Sequence, residues 1–254
     1  MRVAKAEAEA QVIHAEAQIQ VSDLQRRAMH RFLVEEAKKQ SNIESITGKA
    51  LPLLDEKSSP EKVEDDWITN FFDKARIISD CDMQELWSRV LAGEANRPGT
   101  FSKRTVNLLG DLDKRDAELF VHLCGFGWMI GNVVPLVFDV QAEIYNRAGI
   151  DFGSLSHLET LGLVRFDAVT GFTRLKLPKA VSVFYYGAPL QLTLPNDADN
   201  QLEIGRVLLT QAGQEIAPIC GSVPVDGFFD FVRERWTQRS LITLNETVAG
   251  TPPA

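Results

Sequence analysis

The sequence is poor in the residues that build most metal and disulfide sites. It has three cysteines and four histidines in 254 residues. Cys81, Cys124 and Cys220 lie far apart with no CxxC spacing, so we expect free thiols and a cytoplasmic location rather than disulfides. The histidines show no HxxxH or HExxH spacing. The sequence therefore predicts no metal site.

Signatures of catalytic sites are also missing. The chain has no GxSxG elbow, nucleophile-cysteine signature, dinucleotide fingerprint or kinase motif set. The acid pairs Asp65–Asp66 and Asp111/Asp113 stand at predicted helix starts, where capping accounts for them. We therefore predict no catalytic residue and no cofactor, and we expect a protein that is not an enzyme.

Excess positive charge and long apolar runs are absent as well. The net charge is −8 and the sequence pI about 5.1, which argues against a protein whose main task is to wrap nucleic acid or an anionic membrane. The N-terminus lacks the apolar run of a signal peptide. The most apolar segment, residues 119–138, is interrupted by three glycines, Asn132 and Pro135. We expect a helix that bends and turns within a soluble core there.

Residues 1–48 are rich in strong helix formers, with no proline or glycine before Gly48. They predict one long helix. Residues 1–50 hold 8 Lys+Arg against 7 Asp+Glu, so this is not a basic nucleic-acid arm. Heptad spacing places small or apolar residues in one seam, which polar residues interrupt further along. We predict a coiled coil that makes the protein a homo-oligomer, and a solvated helical arm is the alternative. The candidate oligomer seam comprises Ala6, Ala10, Ile13, Ala17 and Leu24.

A linker and a helical unit are predicted next. Residues 49–64 contain two prolines, two serines and a run of charges, which is typical of a linker. Residues 65–112 read as a compact helical unit. Ser79 is predicted to cap its second helix, with Asp82 three residues on. The apolar stripe of its first helix comprises Trp67, Phe71, Ala75 and Ile78.

The stretch "LWSRVLAGEANRPGTFSKRT" (86–105) is predicted to be the corner between two helices. Gly93 suits the end of the first helix, "NRPG" is turn chemistry, and Thr100 or Ser102 can cap the second helix. It follows a helix and lacks the lysine of GxxxxGK[ST], which excludes a P-loop. Three basic residues make it a candidate anion or nucleic-acid contact at a helix N-terminus. They are Arg97, Lys103 and Arg104.

Residues 113–240 predict a winged-helix-like α+β domain, followed by a flexible tail over 241–254. Two helices, the piece "LETLGLV", several short strands, "LTQAGQEI" and a closing helix follow one another. In a winged helix, the segment "GSLSHLETLG" would be the recognition helix, and the strands that follow it would form the wing. The whole fold class is therefore mainly α with a smaller β part.

The predicted recognition helix has no Lys or Arg and carries Glu159, which repels phosphate. Residues 114–240 hold 11 Lys+Arg against 14 Asp+Glu. The candidate nucleic-acid contacts on the predicted wing are Arg174, Lys176 and Lys179. This balance favours a protein-interaction module, with a nucleic-acid-binding regulator as the alternative.

Three segments carry a resemblance to known families: "NIESITGKALPLL", "DDWITNFFDKARIISDCDMQELWSRVLAGEANRPGTFSKRTVNLL" and "LTQAGQEIAPICGSVPVDGFFDFV". Together they resemble a bacterial family of unknown function, over residues 40–112 and more loosely over 150–236. The central block is also similar to one in abortive-infection alpha-type proteins of phage defence. It includes no catalytic signature, so the resemblance transfers no active site.

The resemblance implies a prokaryotic cytoplasmic protein in antiphage defence, of a family whose members usually continue upstream of the position of Met1. Together with the residues, it favours a non-enzymatic, oligomerising assembly or sensor protein that acts through protein–protein contacts with an unidentified partner. A nucleic-acid-binding regulator is one alternative. A membrane-active effector or enzyme is another, based on residues 119–138 and on an upstream segment that could direct the protein to a membrane.

Overall fold

The computed structural model describes residues 2–242, with side chains from residue 11 onward. It is mainly helical, with a long N-terminal helix, a helical middle and a C-terminal sheet region, which confirms the predicted fold class. The helices are α1 Arg2–Ala50, α2 Asp65–Ala75, α3 Cys81–Asn96, α4 Lys103–Gly110, α5 Lys114–Cys124, α6 Glu143–Asn146, α7 Phe152–Thr160, α8 Gln211–Ile216 and α9 Phe228–Gln238. The strands are β1 Gly127–Ile130, β2 Asn132–Pro135, β3 Val164–Phe166, β4 Phe172–Leu177, β5 Ala180–Tyr185, β6 Ala188–Thr193, β7 Asn200–Gly205 and β8 Val207–Leu209.

Helix α1 continues two residues past the predicted end at 48, through Gly48 to Ala50. The predicted linker then holds two short 3-10 turns, Leu51–Leu53 and Pro60–Lys62. The side chain of Asn96 fastens this segment to the end of α3, because its Oδ1 accepts from the amide of Asp55 (2.8 Å) and its Nδ2 donates to the carbonyl of Leu53 (3.0 Å). The segment therefore lies against the helical unit.

The helical unit is built around a stack of aromatic rings. Trp67, Phe71 and Ala75 are buried along one face of α2, as the predicted stripe requires, and Ile78 is half-buried. The ring of Phe71 lies 5.2 Å from that of Trp67 and 5.1 Å from that of Trp87 on α3. Trp67 also donates from Nε1 to the carbonyl of Phe101 (2.7 Å), so its polar edge is satisfied inside the core.

The prediction that Ser79 caps α3 was wrong. The cap is Asp80, whose Oδ1 accepts from the amides of Asp82 (3.0 Å) and Met83 (3.1 Å). The hydroxyl of Ser79 instead accepts a hydrogen bond from Nδ2 of Asn42 on α1 (3.2 Å). Both residue types cap helices well. In this structure the Ser79 hydroxyl is engaged by Asn42 of α1, and Asp80 caps α3.

The stretch 86–105 is a corner between helices, but α3 does not end at Gly93. The helix continues to Asn96, and a methyl group at Gly93 would lie 2.7 Å from Cε2 of the buried Phe101. Gly93 therefore allows the Phe101 ring to pack closely on α3. The turn is made at Gly99, with φ of +89°, and Ser102 caps α4 by accepting from the amide of Thr105.

Residues 119–138 contain a hairpin where the sequence predicted a bent helix. Helix α5 ends at Cys124, and β1 and β2 pair antiparallel around Gly131, whose φ is +78°. An apolar run cannot distinguish a buried helix from a buried strand by periodicity, since both faces of either are apolar. The positive φ at Gly131 shows where the chain reverses.

The C-terminal region has helices α5, α6 and α7 followed by an antiparallel pair of strands, β3 and β8. Residues 167–206 lie between these two strands. This long insertion forms β4 paired with β7, and it adds β5 and β6 to the hairpin in a sheet of order β2-β1-β5-β6. The ring of Trp128 lies 5.2 Å from that of Tyr185 and 5.1 Å from that of Trp236, so α9 closes the core over this sheet.

Candidate interaction surface on the N-terminal arm

Helix α1 is attached to the rest of the protein by its last three turns only. Asn42, Ile46 and Ala50 are buried at a spacing of four residues, and this face of α1 packs on α3. Before Asn42 no described side chain is buried. We call residues 2–41 the arm; at 1.5 Å per residue it is roughly 60 Å long.

A buried polar network holds this attachment. Asn42 donates from Nδ2 to the carbonyl of Arg76 (2.8 Å), and Ser45 donates from Oγ to Oε1 of Gln84 (2.7 Å). Gln84 in turn donates to the carbonyl of Ile78 (2.9 Å). Asn42 and Gln84 are each 7% exposed. Because these contacts need specific donors and acceptors, they fix the direction of the arm more tightly than apolar packing alone.

The arm exposes large apolar side chains along its length. Nine of them between residues 12 and 34 are 54–66% exposed. Large apolar side chains exposed at this density on one helix make it a candidate site of interaction. The nine are Val12, Ile13, Ile19, Val21, Leu24, Met29, Phe32, Leu33 and Val34.

The predicted seam lies partly within this surface. Ile13, Ala17 and Leu24 are exposed in the row that the heptad spacing assigned to them. Ala6 and Ala10 precede the residues whose side chains the structure describes. The use of this seam for oligomerisation stays a prediction.

The predicted anion site at the corner has its backbone donors already occupied by carboxylates of the same chain. Glu94, 3% exposed, accepts from the amides of Gly99 (2.6 Å) and Phe101 (2.8 Å). Glu215 accepts from the amide of Ser102 (3.0 Å). An external anion at this turn would have to displace Glu94 or Glu215, each held by hydrogen bonds that are strong because the acceptor is charged.

The three basic residues of the corner do not share one site. Arg97 is exposed at the end of α3, and Lys103 donates to Oδ2 of Asp66 (3.3 Å). Arg104 lines a cavity of about 600 Å³ together with Arg165 on β3 and Glu159 on α7. The sequence prediction missed Arg165. The alternation of buried Val164, exposed Arg165 and half-buried Phe166 in a strand is the signal that places it on the outer face.

The three basic residues of the predicted wing are also dispersed. The guanidinium of Arg174 lies over Gly131 in the β1–β2 turn, and Lys179 donates to Oδ1 of Asp197 (2.9 Å). Lys176 has a φ of +58° at the irregular pairing of β4 with β7. Each cation thus has a different local setting, and their use as a nucleic-acid contact stays a prediction.

Two exposed side chains on the outer face of α7, those of His157 and Glu159, make contacts within the protein. His157 and Asp116 on α5 share a hydrogen bond of 2.7 Å. Glu159 accepts from the amide of Phe166 (3.0 Å). These contacts tie α7 to α5 and β3, which suits a structural role for this helix.

Cys124 and Cys220 are buried neighbours, and Cys81 is exposed. Cys124 lines a cavity of about 360 Å³. Burial raises the pKa of the Cys124 thiol well above its ordinary value. The hydrogen bond from Cys124 lowers the pKa of Cys220 to about 7. The hydroxyl of Tyr186, which lines the same cavity, donates to Oγ of Ser222 (2.7 Å).

Residues 2–242 contain neither a candidate metal cluster nor a candidate membrane-spanning helix. No group of three or more His, Cys, Asp or Glu residues among them could hold a metal ion. No helix in this part of the chain is both long and apolar enough to cross a membrane.

A protein-family model matches residues 26–233 of the chain. The family is described as Protein of unknown function (DUF2806). This chain belongs to the DUF2806 family. No curated protein and no solved structure matches it. The family match begins at Arg26 in the arm, includes the buried junction at Asn42 and ends at Arg233 in α9.

Proposed function

We propose that this DUF2806 protein is a non-enzymatic assembly protein that associates with copies of itself through the arm and acts through protein–protein contacts. The observation that carries the proposal is the set of nine exposed apolar side chains on a helix held at a fixed angle by its junction. Burying apolar surface stabilises an assembly by roughly 25 cal/mol per Å². An isolated helix with this surface in water would gain none of that energy.

The charges of the arm favour a second copy as the partner. Residues 11–41 carry five cationic and four anionic side chains. Three ion pairs within the helix already use most of them: Arg26–Asp23, Arg31–Glu35 and Lys39–Glu36. Two nearly neutral arms do not repel one another, while a strongly charged partner would find little complementary charge.

The test is the mass of the full chain measured by sedimentation velocity. We expect the wild type to form an oligomer and the triple variant Ile19→Glu, Leu24→Glu and Leu33→Glu to be a monomer, because carboxylates would have to be buried in the contact. The control variant carries the same added charge on polar positions of the arm: Gln11→Glu, Gln18→Glu and Gln25→Glu. An oligomer that survives the apolar substitutions, or that the control abolishes equally, would exclude the arm surface as the contact.

The role of this assembly is proposed to be a sensor or effector in antiphage defence. The support is the resemblance of the central block, residues 65–109, to a block in abortive-infection alpha-type proteins. The experiment is a phage challenge of bacteria that express the wild type, the triple apolar variant or the charge-matched control. Fewer plaques with the wild type and the control, and normal plaques with the apolar variant, would support the role. Equal plaque numbers in all strains across a broad phage panel would contradict it.

A further inference from the structure

Seven of the nine exposed apolar side chains of the arm fall into two rows on opposite faces, and the other two, Val21 and Phe32, lie between the rows. Seam one continues the predicted heptad row and includes Ile13, Ala17, Leu24 and Val34. Seam two has the same spacing of three and four residues, and includes Val12, Ala15, Ile19, Met29 and Leu33. At 3.5 residues per turn, the centres of the two rows lie roughly 150° apart around the helix axis. All of these side chains are exposed.

A single partner helix can bury only one of these rows. The apolar stripe of a helix that packs on one neighbour is little wider than about 100°. A symmetric dimer would use the same patch on both copies and leave the opposite seam in water. Two opposed seams on one helix therefore require two neighbours.

We propose that the arms assemble head to tail, with seam one of each copy against seam two of the next, into a ring or an open filament of at least three copies. This inference rests on the proposed self-association of the arm and names its geometry. Contacts between two different patches of identical chains repeat with the same rotation. In a closed ring of three or more copies the arms therefore run parallel, and the globular parts lie together at one end.

Five polar residues interrupt the two rows: Gln20, Arg27 and Arg31 in seam one, and Ser22 and Arg26 in seam two. Arg26 lies in the row of seam two, and its guanidinium is 2.8 Å from Oδ1 of Asp23. Arg31 lies in the row of seam one, and its Nε is 3.6 Å from Oε1 of Glu35. A cation paired with a carboxylate of its own helix costs much less to bury than an unpaired one. The long side chains of Arg26 and Arg31 can also keep their charged ends in water.

The test uses two double variants of the full chain, one for each seam. The seam-one variant is Ile13→Glu with Leu24→Glu, and the seam-two variant is Ile19→Glu with Leu33→Glu. Each is measured alone by sedimentation velocity, and the two are then measured as an equimolar mixture. Tryptophan fluorescence checks that the globular part is folded, since all four tryptophans lie outside the arm.

Head-to-tail assembly predicts that each variant alone is a monomer of 28.3 kDa. The mixture should form a 1:1 dimer, because seam two of the first variant and seam one of the second are both intact. A variant that dimerises alone, one that keeps the wild-type mass, or a mixture that stays monomeric would each overturn the head-to-tail geometry. A monomeric wild type would instead overturn the proposed self-association itself.

Discussion

Gln84 on α3 donates a hydrogen bond to Asn42 on α1 over 3.4 Å, within a junction where both side chains are nearly inaccessible to water. This contact joins the arm to the helical unit across 42 positions of sequence. Asn42 and Gln84 also donate to carbonyls of the turn between α2 and α3, so one hydrogen-bond network joins the base of α1 to both helices. The exposed seams are thereby presented in a fixed direction.

Replacing Asn42 with alanine should lower the free energy of unfolding by about 1–3 kcal/mol, since the substitution leaves buried acceptors such as the Arg76 carbonyl without a donor. Urea unfolding followed by tryptophan fluorescence measures this change. Gln40→Ala is the matched control, because Gln40 is exposed on the same helix and bonds only to Glu44. Equal stability of Asn42→Ala and Gln40→Ala would show that the junction does not depend on this network.

Gly93→Ala and Gly48→Ala should change stability in opposite directions, although both glycines lie inside helices. A methyl group at Gly93 would meet the buried ring of Phe101, whereas nothing lies within 4 Å of one at Gly48. Alanine at Gly48 should stabilise by about 0.5–1 kcal/mol through helix propensity. Alanine at Gly93 should destabilise by about 1–3 kcal/mol through overpacking. Thermal unfolding of both variants checks the signs, and a stabilised Gly93→Ala would contradict the packing argument.

Asp80 should contribute to stability at neutral pH and lose that contribution in acid. The amide of Met83 and the ammonium of Lys114 hold the pKa of Asp80 below 3.8. A carboxyl whose pKa is lowered by folding stabilises the protein above the pKa of the unfolded chain, and this effect disappears as pH falls through the folded value. The difference in unfolding free energy between the wild type and Asp80→Asn should therefore shrink from pH ~6 to pH ~2. A difference that stays constant over this range would contradict the assignment.

Substitution of Arg174, Lys176 and Lys179 with alanine should leave the affinity for duplex DNA essentially unchanged. The wild type is itself expected to bind weakly and to lose binding steeply with added salt. The structural reason is that Lys179 is already paired with Asp197 and Arg174 lies over the β1–β2 turn, so a phosphate would have to compete with a carboxylate of the same chain for Lys179. Fluorescence anisotropy with a labelled duplex measures the affinities at several salt concentrations. Strong binding that the triple variant abolishes would support the nucleic-acid alternative instead.

Helices of this fold were predictable where their apolar residues recur with a helical period and form a single buried face. The stripe through Trp67, Phe71 and Ala75 and the closing helix α9 are such cases, because the period of the apolar residues identifies the buried face. The β1–β2 hairpin was not predictable in this way. It lies in an apolar run that is compatible with either element.

Several features of the junction and the corner depend on contacts between distant residues. Ser79 and Asp80 are equally good caps, and only the arrival of Asn42 from α1 distinguishes them. From the sequence alone, Gly93 is typical of the end of a helix. The position of the Phe101 ring shows that glycine is needed at this position within the helix, where the ring packs closely. The heptad spacing predicted only one of the two rows of the arm, seam one. The second row, seam two, is indicated by the exposure of Ile19 on the opposite face.

The most direct test of self-association through the arm is sedimentation equilibrium of the intact chain from low to high micromolar concentration. Head-to-tail packing of the two seams predicts a species of at least three times the chain mass of 28.3 kDa at the upper concentrations. It also predicts dissociation on dilution, because the contact is reversible. A single 28.3 kDa species at every concentration would contradict self-association, and with it the assembly function proposed for the arm.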